Sequence, residues 1–308
     1  MVGLSRRSIE NYKVALKHWQ TFVGPMPVEK ITSKVIAGFQ HVLLQRMASA
    51  TVNAYLRPIK ALLRFAADED SGRLIQKAPK IRMLKEPRRV PLALTLDEFS
   101  KVLDTSRAWP GEIGGSPAGA WWLALLLVAW ETGLRYTALL SIRTIDFVPE
   151  SGGLYCQPET QKDNEGMWFQ LTPDALRAVL AIYNPDELLL FHSGVKIETV
   201  GRWFRKVLDD SGIYAPKGCG MRFHRIRKSK ASYTKTLGGD AQAALGHSDS
   251  SVTKRYFDPR IVKPVKQPTM PSPDCPHRAK ILLPGPIALL PRPETTKPRS
   301  TPEGEAAA

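Results

Sequence analysis

The sequence predicts a mainly α fold with a small antiparallel β-sheet, split between a basic helical N-terminal domain and a mixed α+β domain. Three observations carry that expectation. Apolar residues recur at three- and four-residue steps through the first 66 positions, a Pro- and Arg-rich stretch without period follows, and short strand-like runs separated by turn residues appear between positions 146 and 171. At 308 residues the chain exceeds one typical core, and a prior of about 150 residues per domain fits two domains with extensions.

The elements follow in order. Ile9, Tyr12, Leu16, Trp19 and Val23 mark one amphipathic helix, and Val35, Ile36, Phe39, Leu43 and Met47 mark a second behind an expected Thr32 cap. Val52, Tyr55, Leu56, Ile59, Leu63 and Ala66 continue the pattern, and Pro58 inside it is expected to kink or restart the helix. These helices define a domain over residues 1–80. The aperiodic APKIRMLKEPRRVPLAL, residues 78–94, reads as an interdomain linker centred on 81–92. A second domain, 93–261, opens at TLDE, residues 95–98, which has the form of a capping box. Strand candidates Asp146 to Val148, Leu154 to Gln157 and Met167 to Leu171 are separated by the turn-rich PESGG and KDNEG, and Thr172, Pro173 and Asp174 then restart a helix. Residues 262–308 form a Pro-rich tail, with 11 of the 25 prolines after Ile261, and are expected to be largely disordered apart from the apolar KILLPGPIALLP.

Charge narrows the partner. Forty-four Lys and Arg against 29 Asp and Glu give +15, and the excess is uneven: 17 basic and 6 acidic residues in 1–90, but 20 and 19 in 91–261. A polyanion fits this better than an acidic small molecule, with the N-terminal third as its electrostatic handle. Arg57, Lys60 and Arg64 share one face of the third helical segment, which is either a plain solvated surface or a phosphate-facing one. Cys156, Cys219 and Cys275 are too few and scattered for a disulfide framework and form no CxxC pair, which suits a reduced, cytoplasmic setting. No signal peptide is visible, and AGAWWLALLLVAW, residues 118–130, is too short to cross a bilayer, so it reads as a buried helix.

Four short pieces of the second domain bear chemistry: TGLR ending at Arg135, Lys162 in the turn between two strand candidates, HRIR from His224 to Arg227, and LGHS with His247 followed nine residues later by Tyr256. Guanidinium forks bind two phosphate oxygens at once, so Arg135 and Arg227 suit stabilisation of charge on a reacting phosphodiester. His224 stands one helical turn before Arg227 and can face the same phosphate. A free phenol, with a pKa of about 10, is a poor nucleophile, so a catalytic Tyr256 needs these neighbours. Taken singly each piece has a bland reading: a surface ion pair, a solvated lysine, a satisfied core histidine.

In this order and spacing, the four together resemble the tyrosine recombinases, the family of the phage integrases, over residues 95–261, and the basic helical region resembles that family's core-binding domain. The resemblance implies site-specific cleavage and rejoining of double-stranded DNA through a 3′-phosphotyrosyl bond to Tyr256, with no metal or cofactor. It further implies that Lys162 is general acid for the departing 5′ hydroxyl, that His247 hydrogen-bonds the scissile phosphate, and that a homo-tetramer acts on paired sites. No membrane partner is expected. Two other readings share these features: a type IB topoisomerase-like enzyme that relaxes DNA, and a catalytically lapsed DNA-binding relic of a mobile element. The sequence departs from the family pattern at Ala138, where many members carry a carboxylate that supports the first arginine. It departs again at Lys228 and Ser229, which follow Arg227 in place of the frequent His-Thr.

Overall fold

The computed structural model describes residues 6–70, 73–87, 90–213 and 223–262. Three helices come first: α1 (Arg6–Val23), α2 (Ser33–Leu44) and α3 (Ser49–Ala66). The Thr32 hydroxyl accepts from the Val35 amide, which caps α2 as its sequence suggests. Helix α3 runs through Pro58 without the expected break. The ring is buried beside Val52, Leu56, Ile59 and Leu63, whose burial offsets the single backbone bond a proline forfeits. With Trp19, Ile36, Phe39 and Leu43 these residues make the first hydrophobic core.

The stretch read as a linker is fastened in part. Ile81 joins the first core, Gln40 donates to the Arg82 carbonyl, and the buried Asn53 amide pairs with both the N–H and the C=O of Leu84. At its far end Ala93 and Leu94 are fully buried against the second unit.

That unit begins with α4 (Leu96–Arg107), whose Thr95 and Glu98 complete the capping box in both directions. Between α4 and α5 (Ala118–Thr132) lies a hairpin absent from the sequence reading, β1 (Glu112–Ile113) with β2 (Ser116–Pro117). Its turn is Gly114-Gly115, both at positive φ, a two-glycine signal for a tight hairpin. Helix α5 is the apolar segment and is buried on most sides, with Trp121, Trp122, Leu125 and Leu126 at its centre. No helix among the described residues is long and apolar enough to cross a membrane.

After α6 (Tyr136–Leu139) comes a three-stranded antiparallel sheet of β3 (Phe147–Val148), β4 (Gly153–Cys156) and β5 (Met167–Gln170), in the order β3-β4-β5. Leu154 pairs with Phe169 and Cys156 with Met167 on the core face. Helix α7 (Pro173–Leu180) starts at Thr172, whose hydroxyl accepts from Ala175. Helices α8 (Ile197–Asp210), α9 (His224–Thr236), α10 (Ala241–Leu245) and α11 (Ser250–Lys254) complete the chain as far as Val262. The predicted tail beyond that residue, Cys219 and Cys275 lie outside the described residues. The architecture is mainly helical with small antiparallel sheets, as the periodicities predict.

Helix α9 is the hub of the site-bearing end, and a strip of hydroxyls makes it so. Ser229 exchanges hydrogen bonds with both backbone groups of Leu94, Ser232 bonds the Tyr256 carbonyl and the Asp258 amide, and Thr236 donates to Ile261. The fully buried Asp258 carboxylate accepts from the Ala93 amide at 2.7 Å and from Arg260, which also reaches Glu98. Burial pushes this carboxyl up, but the bonds from Arg260 and Ala93 outweigh it and hold its pKa below the usual carboxylate range. Because the folded value is the lower one, the stabilisation is present above the unfolded pKa of about 3.9 and is lost as pH falls through the folded value. Asp258→Ala is expected to cost about 1–3 kcal/mol, since it leaves the buried Ala93 amide without an acceptor, while Arg260 keeps Glu98 and the Ala93 carbonyl. Urea unfolding at pH 7 reads this as a lower midpoint, with the deficit shrinking in acid.

Candidate active site

Five of the six residues singled out by sequence meet at one place. Helix α5 ends at Gly133, whose φ of +64° and lack of a side chain let the chain turn sharply. A Cβ there would come within 2.9 Å of the Leu245 and Lys230 side chains, so glycine is required on two counts. The turn places Arg135 as N-cap of α6, with its side chain about one-fifth exposed. Ala138 lies fully buried in the core beneath it, where a carboxylate would have no solvent. The support it would have given comes from elsewhere: Asp163 accepts from Arg135 Nη2 at 3.2 Å, and the buried Gln161 lies 3.5 Å from Nη1. Gln161 is itself held by a bond to Cys156 Sγ. Neither residue carries a sequence signal of its own, because both belong to a polar turn that reads as solvent-facing.

Lys162, between them, is exposed and makes no hydrogen bond or ion pair among the described residues. The structure therefore puts its backbone at the edge of the site through its neighbours, but not its ammonium.

Helix α9 contributes the next pair. His224 Nε2 lies 2.9 Å from the Tyr256 hydroxyl, and Arg227, one turn on, is 2% exposed. Arg227 donates to the Gly133 carbonyl at 2.6 Å, to the Leu245 carbonyl at 2.7 Å and to His247 Nε2 at 3.0 Å. Its Nε is buried and makes no hydrogen bond among the described residues. Burial, then the nearby Arg135 charge, pull the guanidinium pKa down to about 10, with Tyr256 and Asp163 acting in opposition. It stays protonated at neutral pH, yet the free site holds more positive charge than it can balance.

The short helices α10 and α11 bring the last two residues. Gly246 ends α10 at φ +59°, packed against Met167, and His247 follows at once. Its Nδ1 lies 2.8 Å from the hydroxyl of buried Thr253 on α11. Tyr256, just beyond α11, is flanked by the two imidazoles, each 5.0 Å from its ring centre. Burial first, then Arg227 and other cations, lower both histidines to about 4, so both rings are neutral at pH 7. A phenol beside a neutral imidazole and close to the Arg227 guanidinium can pass its proton to that ring in the tautomer with a bare Nε2, with a fixed cation at hand for the charge that develops. Among the described residues no group of His, Cys, Asp and Glu is arranged to hold a metal ion.

The three remaining candidates lie on α3, in the first helical unit. Arg57 is spent partly on Glu86, 3.3 Å away, whereas Lys60 and Arg64 line one groove with Lys77 and Lys80.

No family model and no curated protein matches the sequence. Solved structures do match the fold. A lambda integrase tetramer bound to a Holliday junction is 23% identical with a TM-score of 0.64, covering 84% of this chain and 74% of that one. XerH site-specific recombinase bound to palindromic difH substrate is 17% identical with a TM-score of 0.65, covering 83% of this chain and 77% of that one. The Tn1549 transposon integrase in complex with circular intermediate DNA is 14% identical with a TM-score of 0.64, covering 83% of this chain and 91% of that one. The chain therefore has the fold of the tyrosine recombinases, with small antiparallel sheets set among its helices.

Proposed function

We propose that this protein is a site-specific DNA recombinase that cleaves and rejoins strands through a 3′-phosphotyrosyl intermediate on Tyr256. The observation that carries the reading is the Tyr256 hydroxyl 2.9 Å from His224 Nε2, beside the buried cation of Arg227. In cleavage the phenolic oxygen attacks phosphorus, its proton passes to neutral His224, and Arg135 and Arg227 bind the non-bridging oxygens. The 5′ oxygen leaves with a proton from Lys162, a role that rests on the resemblance and requires the β4–β5 turn to bring its ammonium inward. A second DNA 5′ hydroxyl reverses the step, conserving the bond energy for rejoining.

The helical unit, 1–80, serves as the core-binding domain, its groove of Lys60, Arg64, Lys77 and Lys80 facing phosphates, and 93–261 serves as the catalytic domain. Assembly is a homo-tetramer on paired sites, a reading supported by the lambda integrase tetramer bound to a Holliday junction, and the setting is the cytoplasm, a reading supported by the few scattered cysteines. The test is to incubate the chain with duplex fragments flanking its gene and denature with detergent. A DNA-linked species whose modified peptide contains Tyr256 supports the reading; salt-sensitive binding without any adduct leaves a DNA-binding relic instead.

Asp163 gives a graded check. Asp163→Ala removes the carboxylate nearest Arg135 in a half-buried pair. The expected result is a roughly tenfold slower adduct formation with DNA affinity nearly unchanged, matching a lost charge-assisted bond of about 1.5 kcal/mol. Single-turnover cleavage and filter binding on the same fragment separate the two effects.

A further inference from the structure

The hydrogen bonds of His247 fix which of its nitrogens carries the proton. Arg227 Nη2 can only donate, so the Nε2 it meets at 3.0 Å is unprotonated, and in the neutral ring the proton sits on Nδ1 and is donated to Thr253 Oγ1 at 2.8 Å. In this state His247 has no proton to offer a phosphate oxygen. A donor at Nε2 requires the other tautomer, and then Nδ1 needs a donor of its own. A carboxylate or a carbonyl at that place would only accept and would lock the resting tautomer. A hydroxyl accepts in one state and donates in the other. Thr253 is 3% exposed, so water does not substitute for it easily.

We propose that Thr253 is a positioning residue that lets His247 exchange the Nδ1–H tautomer, paired with Arg227, for an Nε2–H tautomer that donates to an oxyanion in the site. The inference rests on the reading of the site as one for a phosphodiester. Proton balance is simple: Nδ1 releases its proton to water, Nε2 takes one from water, and the ring stays neutral. Thr253 keeps its own proton and only rotates about Cβ–Oγ1, while Arg227 Nη2 turns from the imidazole to the anion. The low basicity of the ring, pulled to about 4, keeps the alternative of a doubly protonated imidazolium out of the resting state.

The experiment follows ring ¹⁵N shifts of the histidine-labelled full chain at pH 7, with and without inorganic phosphate, His247 being assigned by its absence in His247→Gln. The expected result is Nδ1–H in the free protein and Nε2–H with phosphate. Thr253→Ser should reproduce both states. Thr253→Val, equal in shape but without the hydroxyl, should need about tenfold more phosphate to reach the second state. Phosphate that shifts the His247 signals while leaving the tautomer unchanged, or that makes the ring an imidazolium, overturns the positioning role and leaves the site reading intact. A Thr253→Val variant that switches as readily as the wild type overturns the positioning role in the same way. Phosphate that moves no imidazole signal overturns the oxyanion-site reading and the inference with it.

Discussion

Tyr256→Phe is expected to abolish the covalent protein–DNA species while leaving fold and DNA affinity intact. The substitution deletes one oxygen from a half-buried side chain whose phenol touches His224 at 2.9 Å, so the stability cost is about 1 kcal/mol or less. The effect on chemistry is expected to be total, because among the described residues no other hydroxyl meets that imidazole. His224 supplies the companion measurement. Its pKa of about 4 arises mainly from burial, with Arg227, Lys228, Arg135 and His247 adding to it. A base with a lowered pKa is competent above that value and fails as pH falls through it, so the free protein's acid limb lies near pH 4 rather than near the 6.5 of an ordinary histidine. A phosphate in the site raises the value, which shifts the limb upward for the bound complex. A denaturing gel reads the adduct, and a thermal melt reads the fold. An adduct that persists in Tyr256→Phe identifies a different nucleophile and removes the assignment.

What the sequence disclosed and what it hid divide along physical lines. Signals that depend on neighbours in the chain were legible: the Thr95–Glu98 capping box, the Thr32 and Thr172 caps, the three short strands, and the 3.6-residue stripes of the first helices. The Gly114-Gly115 hairpin had a local signal too, but strands of two residues are too short to show a period. Pro58 illustrates the opposite failure, in which a strong local rule yields to tertiary packing around Val52, Leu56 and Ile59. At the site, Arg135, His224, Arg227, His247 and Tyr256 could be found because their order and spacing form a pattern. Their supports could not. Asp163 reaches Arg135 across 28 positions and Ser229 reaches Leu94 across 135, and no periodicity announces a contact over such distances. Thr253 and Asp258 are likewise ordinary residues in sequence and become informative only when burial leaves their hydrogen bonds no alternative.

Arg227 sets stability and function against each other, and Arg227→Ala measures the balance. The side chain satisfies two carbonyls, those of Gly133 and Leu245, and so joins the end of α5 to the end of α10. Stranding both costs about 2–5 kcal/mol. Against this, burial and the neighbouring Arg135 pull the guanidinium pKa down to about 10, which marks a penalty on the charged form of the same order. The two terms are of similar size, so the variant is expected to lose less than about 2 kcal/mol of stability, little for a 2% exposed residue with this many bonds. Function has no such compensation. Removing one preorganised donor of this kind slows reactions by about 10²–10³, and Arg227→Ala removes the donors together with the buried positive charge, so adduct formation is expected to fall about 10³-fold. Arg227→Lys does not rescue it, because an ammonium cannot span two carbonyls and a phosphate. The unbalanced charge also makes a sign prediction for the wild type: inorganic phosphate raises its denaturant midpoint, and the Ala variant loses that response. A variant unfolded at room temperature would show the guanidinium to be chiefly structural, whereas a stable but inert one shows that the free site holds an uncompensated cation ready for the phosphodiester.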